Sequence, residues 1–108
     1  MPNILGILSK EEKAFWDKGK NVSIIRSTYP PKVDSISVIF VETGKIRFLD
    51  YMHVVVGDII VDNENRQRFN VTEILPGEHM EPIQVEEKGS KIEKKIASKE
   101  ASIMRINF

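Results

Sequence analysis

Residues 54–75, VVVGDIIVDNENRQRFNVTEIL, constrain the chain more than any other stretch, because they read as a β-hairpin complete with entry turn, two strands and a polar tip. Gly57-Asp58 is a turn-type dipeptide, and Ile59, Ile60 and Val61 are β-branched. Asp62-Asn63-Glu64-Asn65 supplies a polar reversal, after which Phe69, Val71 and Glu73 resume a period of two. A chain built around such a unit needs other strands to bury its apolar face, since a lone hairpin is marginal in water. With 108 residues there is room for one domain and one core.

The flanking segments supply those strands. Residues 9–19 read as a short helix: Ser9 and Glu12 have the capping-box spacing, Glu11 and Glu12 sit at the positive end of the dipole, and Lys18-Gly19 closes it. Leu5, Leu8, Phe15 and Trp16 give it one apolar side, and an aromatic pair on a short amphipathic helix is expected to pack on its own core. From Asn21 the period is strand-like through Arg26, until Tyr29-Pro30-Pro31 leaves the ladder. Residues 35–41, SISVIFV, form the densest β signal and predict a central strand. Glu42-Thr43-Gly44-Lys45 is a compact reversal into a strand over 45–52, where Ile46 and Phe48 alternate with Arg47 and Leu49.

Beyond Leu75, Pro76-Gly77 is expected to end the hairpin, and a weaker strand is centred on Ile83 and Val85. Residues 86–100, EEKGSKIEKKIASKE, turn rich in lysine and glutamate. Ser90 and Glu93 repeat the capping-box spacing, and Ile92, Ile96 and Ala97 share a helical stripe, yet Ile92 and Ile96 would also share one face of a strand. The segment is expected to be a short helix or a mobile loop whose two isoleucines become buried only on assembly. Met104, Ile106 and Phe108 alternate in a terminal strand that would pair with an existing edge. Together these signals predict a mainly β domain: a small antiparallel barrel or sandwich of six or seven short strands with a short N-terminal helix.

Function classes are narrowed mostly by what is missing. Sixteen basic and 16 acidic residues balance, which removes the electrostatic footprint of a duplex-binding protein. Without cysteine there is no disulfide, thiolate metal site or cysteine nucleophile, and no apolar run approaches the roughly 18 residues of a membrane span. The expected setting is cytoplasmic and away from membranes. His53 and His79 lack any ligand spacing such as HExxH, and neither GxSxG, GxxxxGK[ST] nor GxGxxG occurs. The expectation is a protein that is not an enzyme, with no cofactor and no metal.

Three surfaces remain for partners. The apolar tail, Ile4, Leu5, Ile7 and Leu8, is expected to dock on this domain or on a neighbouring subunit. The tip over 62–68 presents Asn63, Arg66 and Arg68 from a rigid β base. Ile92 and Ile96 in the charged segment are the third. Lys10, Lys13, Lys18, Lys20, Arg26 and Lys32, interleaved with Trp16 and Tyr29, offer an alternative: a single-stranded nucleic-acid module of OB type. The solvated face of a helix is the simpler explanation of those charges, which Glu11, Glu12 and Asp17 dilute.

The run Val56-Gly57-Asp58-Ile59-Ile60-Val61, a polar turn, then Arg68-Phe69-Asn70-Val71 resembles the hairpin of small β-barrel proteins in tailed-phage necks and tails, including head-tail joining proteins. The resemblance implies a structural subunit of a virion or prophage that acts in a ring through edge strands and extended loops. It brings no catalytic residues with it. Protein partners, either further copies of the chain or other virion subunits, are then the expected ligands.

Overall fold

The computed structural model describes residues 8–107; Ile4, Leu5 and Ile7 of the predicted docking tail, and Phe108, lie outside the described residues. Six antiparallel strands close into a barrel. After helix α1 (Lys10–Lys18) come β1 (Lys20–Ile25), β2 (Val33–Glu42), β3 (Lys45–Phe48), β4 (Ile59–Asp62), β5 (Gln67–Glu87) and β6 (Ser90–Arg105). Around the barrel the order is β1-β2-β3-β6-β5-β4, and pairing of Ile24 with Ile60 shuts the ring. Closure removes most edge strands, which is how an all-β domain of this size avoids open ladders.

Alternation in the strands fixes what fills the lumen. Val22 and Ile24, Ile36 and Val38, Ile46 and Phe48, Ile60, Val71, Ala101 and Ile103 are all buried in one cluster, completed by Leu49, Met52 and Val54 from the connection after β3. Phe40 and Phe69 come from strands that are not neighbours in the sheet, yet their ring centroids are 5.8 Å apart, so the two rings touch at the rim of the core, with Phe40 exposed. The expected strand over 45–52 stops at Phe48, because Asp50–Met52 turns into a 3-10 helix that drops Met52 onto the core. His53 ends that turn in a left-handed conformation at φ 53°.

Helix α1 is as the capping-box spacing predicts: the Glu12 N–H donates to Ser9 Oγ at 3.1 Å and the Ser9 N–H to Glu12 Oε1 at 3.0 Å. It lies over the outer face of the sheet. Ser37, on the face of β2 opposite to Ile36 and Val38, is fully buried there and its hydroxyl donates to the Trp16 carbonyl at 3.2 Å. Phe15 is 0% exposed and Trp16 is half-buried, its indole N–H donating to Tyr51 Oη, so the aromatic pair packs on its own domain as expected. Burial pushes the Tyr51 hydroxyl up from its ordinary value, the Trp16 hydrogen bond opposing it.

Close approach of helix and sheet makes Gly19 obligatory. A Cβ there would lie 2.4 Å from Ser37 Oγ and 2.9 Å from the Val38 carbonyl oxygen. Gly19→Ala is therefore expected to cost about 2 kcal/mol of stability through overpacking, read as a lower urea midpoint with an unchanged slope.

The two longest strands depart from the sequence reading. Pro76-Gly77 does not end β5; the register shifts between Leu75 and His79, and the strand runs on to Glu87. Residues 90–98, expected as helix or mobile loop, are instead the first half of β6, paired residue for residue with His79 to Glu87. The capping-box spacing of Ser90 and Glu93 caps nothing. Lys88 and Gly89 form the turn, both at positive φ (51° and 79°), the two-residue hairpin geometry that suits the twist of flanking strands. Strand wins over helix because pairing puts Ile92, Lys94 and Ile96 opposite Val85, Ile83 and Glu81, a face that α1 covers. A helix over 90–97 would leave Ile83 and Val85, now 2% and 4% exposed, without that partner strand.

Candidate functional site

β3 pairs with β6 only from Phe48↔Lys99 to Lys45↔Ser102, and β4 pairs with β5 only from Asp62↔Gln67 to Ile59↔Asn70. Residues 79–98 therefore form a two-stranded arm that continues past the barrel wall. The arm contributes to an elongated outline of 49 × 33 × 26 Å.

Its base is fixed by charge. Arg47 reaches from β3 to two carboxylates on neighbouring strands: its Nε donates to Glu100 Oε2 at 3.0 Å and its Nη1 donates to Glu81 Oε1. The two glutamate side chains are only 5% and 10% exposed. Hydrogen bonding to Glu81 raises the Arg47 pKa further, against burial, with Glu100 adding to it. Lys18 comes down from α1 to within 3.6 Å of Glu81 and also donates to the Pro82 carbonyl. At the other end of the helix Glu11 meets Lys94, which also binds Glu87. So α1 is strapped along the arm from Lys94 to Glu81. The opposite face, with Met80, Pro82, Gln84, Glu86, Lys91, Glu93, Lys95 and Ala97, is exposed.

Ile92 and Ile96, expected as partner contacts, sit on the helix-covered face and remain half-buried. Leu8, just before the helix, is also half-buried. Asn63, Arg66 and Arg68 are brought together in a cleft of about 460 Å³ with Val61. There the Asn63 amide donates to Ser23 Oγ at 3.0 Å, and Arg66 adopts a left-handed turn conformation. This tip is at the start of β5 and the arm at its end, so the two predicted surfaces face apart.

Asp62 anchors the tip. Its carboxylate accepts from Lys20 Nζ at 2.8 Å and from the Asn65 amide at 2.9 Å. Burial pushes its pKa up, but the hydrogen bonds from Lys20 and Asn65 outweigh it and hold the group below the usual carboxylate range. A depressed folded-state pKa gives stability that is present above the unfolded value, about 3.9, and is lost as pH falls through the folded one. Asp62→Asn is accordingly expected to flatten the acid limb of a stability profile below about pH 4, read by thermal melts.

The remaining candidates separate. His53 is exposed, its carbonyl accepting from Arg26 Nη1 at 2.9 Å, while His79 is 3.7 Å from Glu100. Among the described residues no three His, Asp or Glu side chains are grouped to hold a metal. Nor does any buried side-chain nitrogen or oxygen there lack a hydrogen-bond partner. Of the six early cations, Lys18, Lys20 and Arg26 are engaged by Glu81, by Asp62 and Glu64, and by Asp34. Lys20 and Arg26 flank opposite ends of β1 and form no single track. Asp58 of the turn dipeptide is fully buried, accepting from the Ser27 and Val55 N–H groups at 2.9 and 3.0 Å, which ties the two loops at that end of the barrel together.

The arm is the feature that the sequence reading missed. Its signal is present in the alternation of 79–87 and 90–98 around Lys88-Gly89, but the Ser90/Glu93 spacing and the Ile92, Ile96 and Ala97 stripe point equally to a helix. No helix among the described residues is long and apolar enough to cross a membrane. Comparisons with protein-family models, curated proteins and solved structures return no match for this chain.

Proposed function

We propose that the chain is a non-enzymatic assembly subunit that engages protein partners, further copies of itself among them, through the β5–β6 arm. The observation that carries this reading is the arm itself: a regular ladder over 79–98 that leaves the barrel with one face covered by α1 and the other bare. A two-stranded ribbon in water is marginal without further burial. Here an internal helix and an ion-pair strap hold it in a single pose, as a pre-organised binding element requires. Extended strands with unpaired edges recruit partners through main-chain hydrogen bonds. The hairpin over 56–71, with its likeness to head-tail joining barrels, suggests a phage or prophage neck or tail as the setting. Static light scattering over a wide concentration range tests the reading. The mass should rise above the monomer's 12.4 kDa as concentration increases. A strict monomer at every concentration would overturn it.

A further inference from the structure

The outer edge of β6 identifies its own partner. From Ser90 to Ser98 this strand has β5 on one side and, among the described residues, no strand on the other. β5 is a poorer edge, because Pro82 has no N–H to offer and its carbonyl already accepts Lys18. The free stretch reads SKIEKKIAS, which is nearly its own complement when reversed. Resting on the assembly reading above, we infer that two copies join by antiparallel pairing of their β6 edges about a two-fold axis at Lys94, making a continuous four-stranded β5-β6-β6-β5 sheet.

In that register Ser90 faces the partner copy's Ser98, Lys91 its Ala97, Ile92 its Ile96 and Glu93 its Lys95, and symmetry repeats each pair. Ile92 and Ile96 already share a face with the buried Ile83 and Val85. Their cross-strand pairs complete the cover that α1 leaves partial. Glu93 and Lys95 share the exposed face, where opposite charges directly across a ladder stabilise and like charges destabilise. The like pair on the axis is already compensated, since each Lys94 Nζ is 2.6 Å from Glu87 and 3.3 Å from Glu11.

Other registers fail on the same residues. Moving the axis to Glu93 sets Glu93 against itself, Lys91 against Lys95 and Ile92 against Lys94. Moving it to Lys95 sets Ile96 against Lys94. Parallel pairing in register stacks every like charge. Lysines on an edge commonly guard against strand addition. An axis at Ile92 also sets Ile92 against itself and Lys91 against Glu93, but it overlaps only residues 90–94 of the free stretch and leaves Ile96 unpaired, so the axis at Lys94 alone matches both isoleucines and the opposite charges over the full 90–98.

The native chain has no cysteine, so one introduced thiol reports register without interference. Residues directly opposite in an antiparallel pair have Cβ atoms about 4.5–5.5 Å apart, close to disulfide range, whereas position 97 would be about 20 Å from its own copy. Lys94→Cys should form a covalent dimer under mild oxidation and Ala97→Cys should not. In parallel, Glu93→Lys and Lys95→Glu should each weaken self-association by roughly tenfold at low salt. The double swap should restore it. If light scattering still shows assembly while both single reversals leave its strength unchanged, or Ala97→Cys cross-links as readily as Lys94→Cys, the two-fold pairing is wrong and the assembly reading stands. A wild-type chain that stays monomeric removes both.

Discussion

Arg47→Met is expected to cost about 3 kcal/mol of unfolding free energy, because it strands two carboxylates that are almost out of water. Glu81 and Glu100 have side chains 5% and 10% exposed and share this guanidinium, with Lys18 at 3.6 Å from Glu81 as a weaker substitute. For a domain of this length the loss corresponds to a drop in Tm of roughly 12–24 °C. The mechanism predicts a signature beyond the magnitude. Adding Glu81→Gln and Glu100→Gln to Arg47→Met should recover part of the loss, since breaking one partner of a buried pair is worse than removing the charges altogether. Chemical denaturation of Arg47→Met, the triple variant and the parent makes the comparison. A cost under about 1 kcal/mol for Arg47→Met would mean that the arm is not held to the barrel by this cluster.

Phe15→Ala should be at least as damaging, at about 4 kcal/mol. Phe15 is the only fully buried side chain on α1, and the helix has just nine residues, too few to persist in water without packing. Losing the ring opens a cavity in the barrel cluster that Phe15 joins and loosens α1, which packs against β5. The expected readout is therefore double: a lower midpoint in denaturant, and new binding of an apolar dye by the native state. Removal of the cap alone, by Ser9→Ala, is expected to cost only about 1 kcal/mol and to bind no dye.

Those two predictions fall on either side of what could be read from sequence. The helix was legible because its determinants are local: Ser9 and Glu12 three residues apart, Gly19 at the stop, Phe15 and Trp16 on one side. β2 was equally plain, its β-branched run needing no knowledge of a partner strand, and the hairpin with its tip at residues 63–66 followed from turn chemistry. The arm was not legible for the opposite reason. Ile92 and Ile96 satisfy both a helical and a strand period, and the choice between them is made by pairing with residues 79–87 across the turn and by α1, which is far away along the chain. Arg47 likewise reads as an ordinary outward residue of β3, and only the register of β3 with β6 and of β6 with β5 sets it between Glu100 and Glu81. The 3-10 turn after Phe48 was hidden because Leu49 and Met52 fit an extended reading as well as the compact one that buries them.

If copies meet at the β6 edge of the arm, amide hydrogen exchange at two protein concentrations, below and above the light-scattering transition, will show it. Amides over 90–98 should exchange faster in the dilute sample and become protected in the concentrated one, while those of Val38, Ile46 and Ala101 in the closed barrel should not change. Exchange over 90–98 that is the same at both concentrations, or protection that grows instead at the tip over residues 62–68, would contradict it.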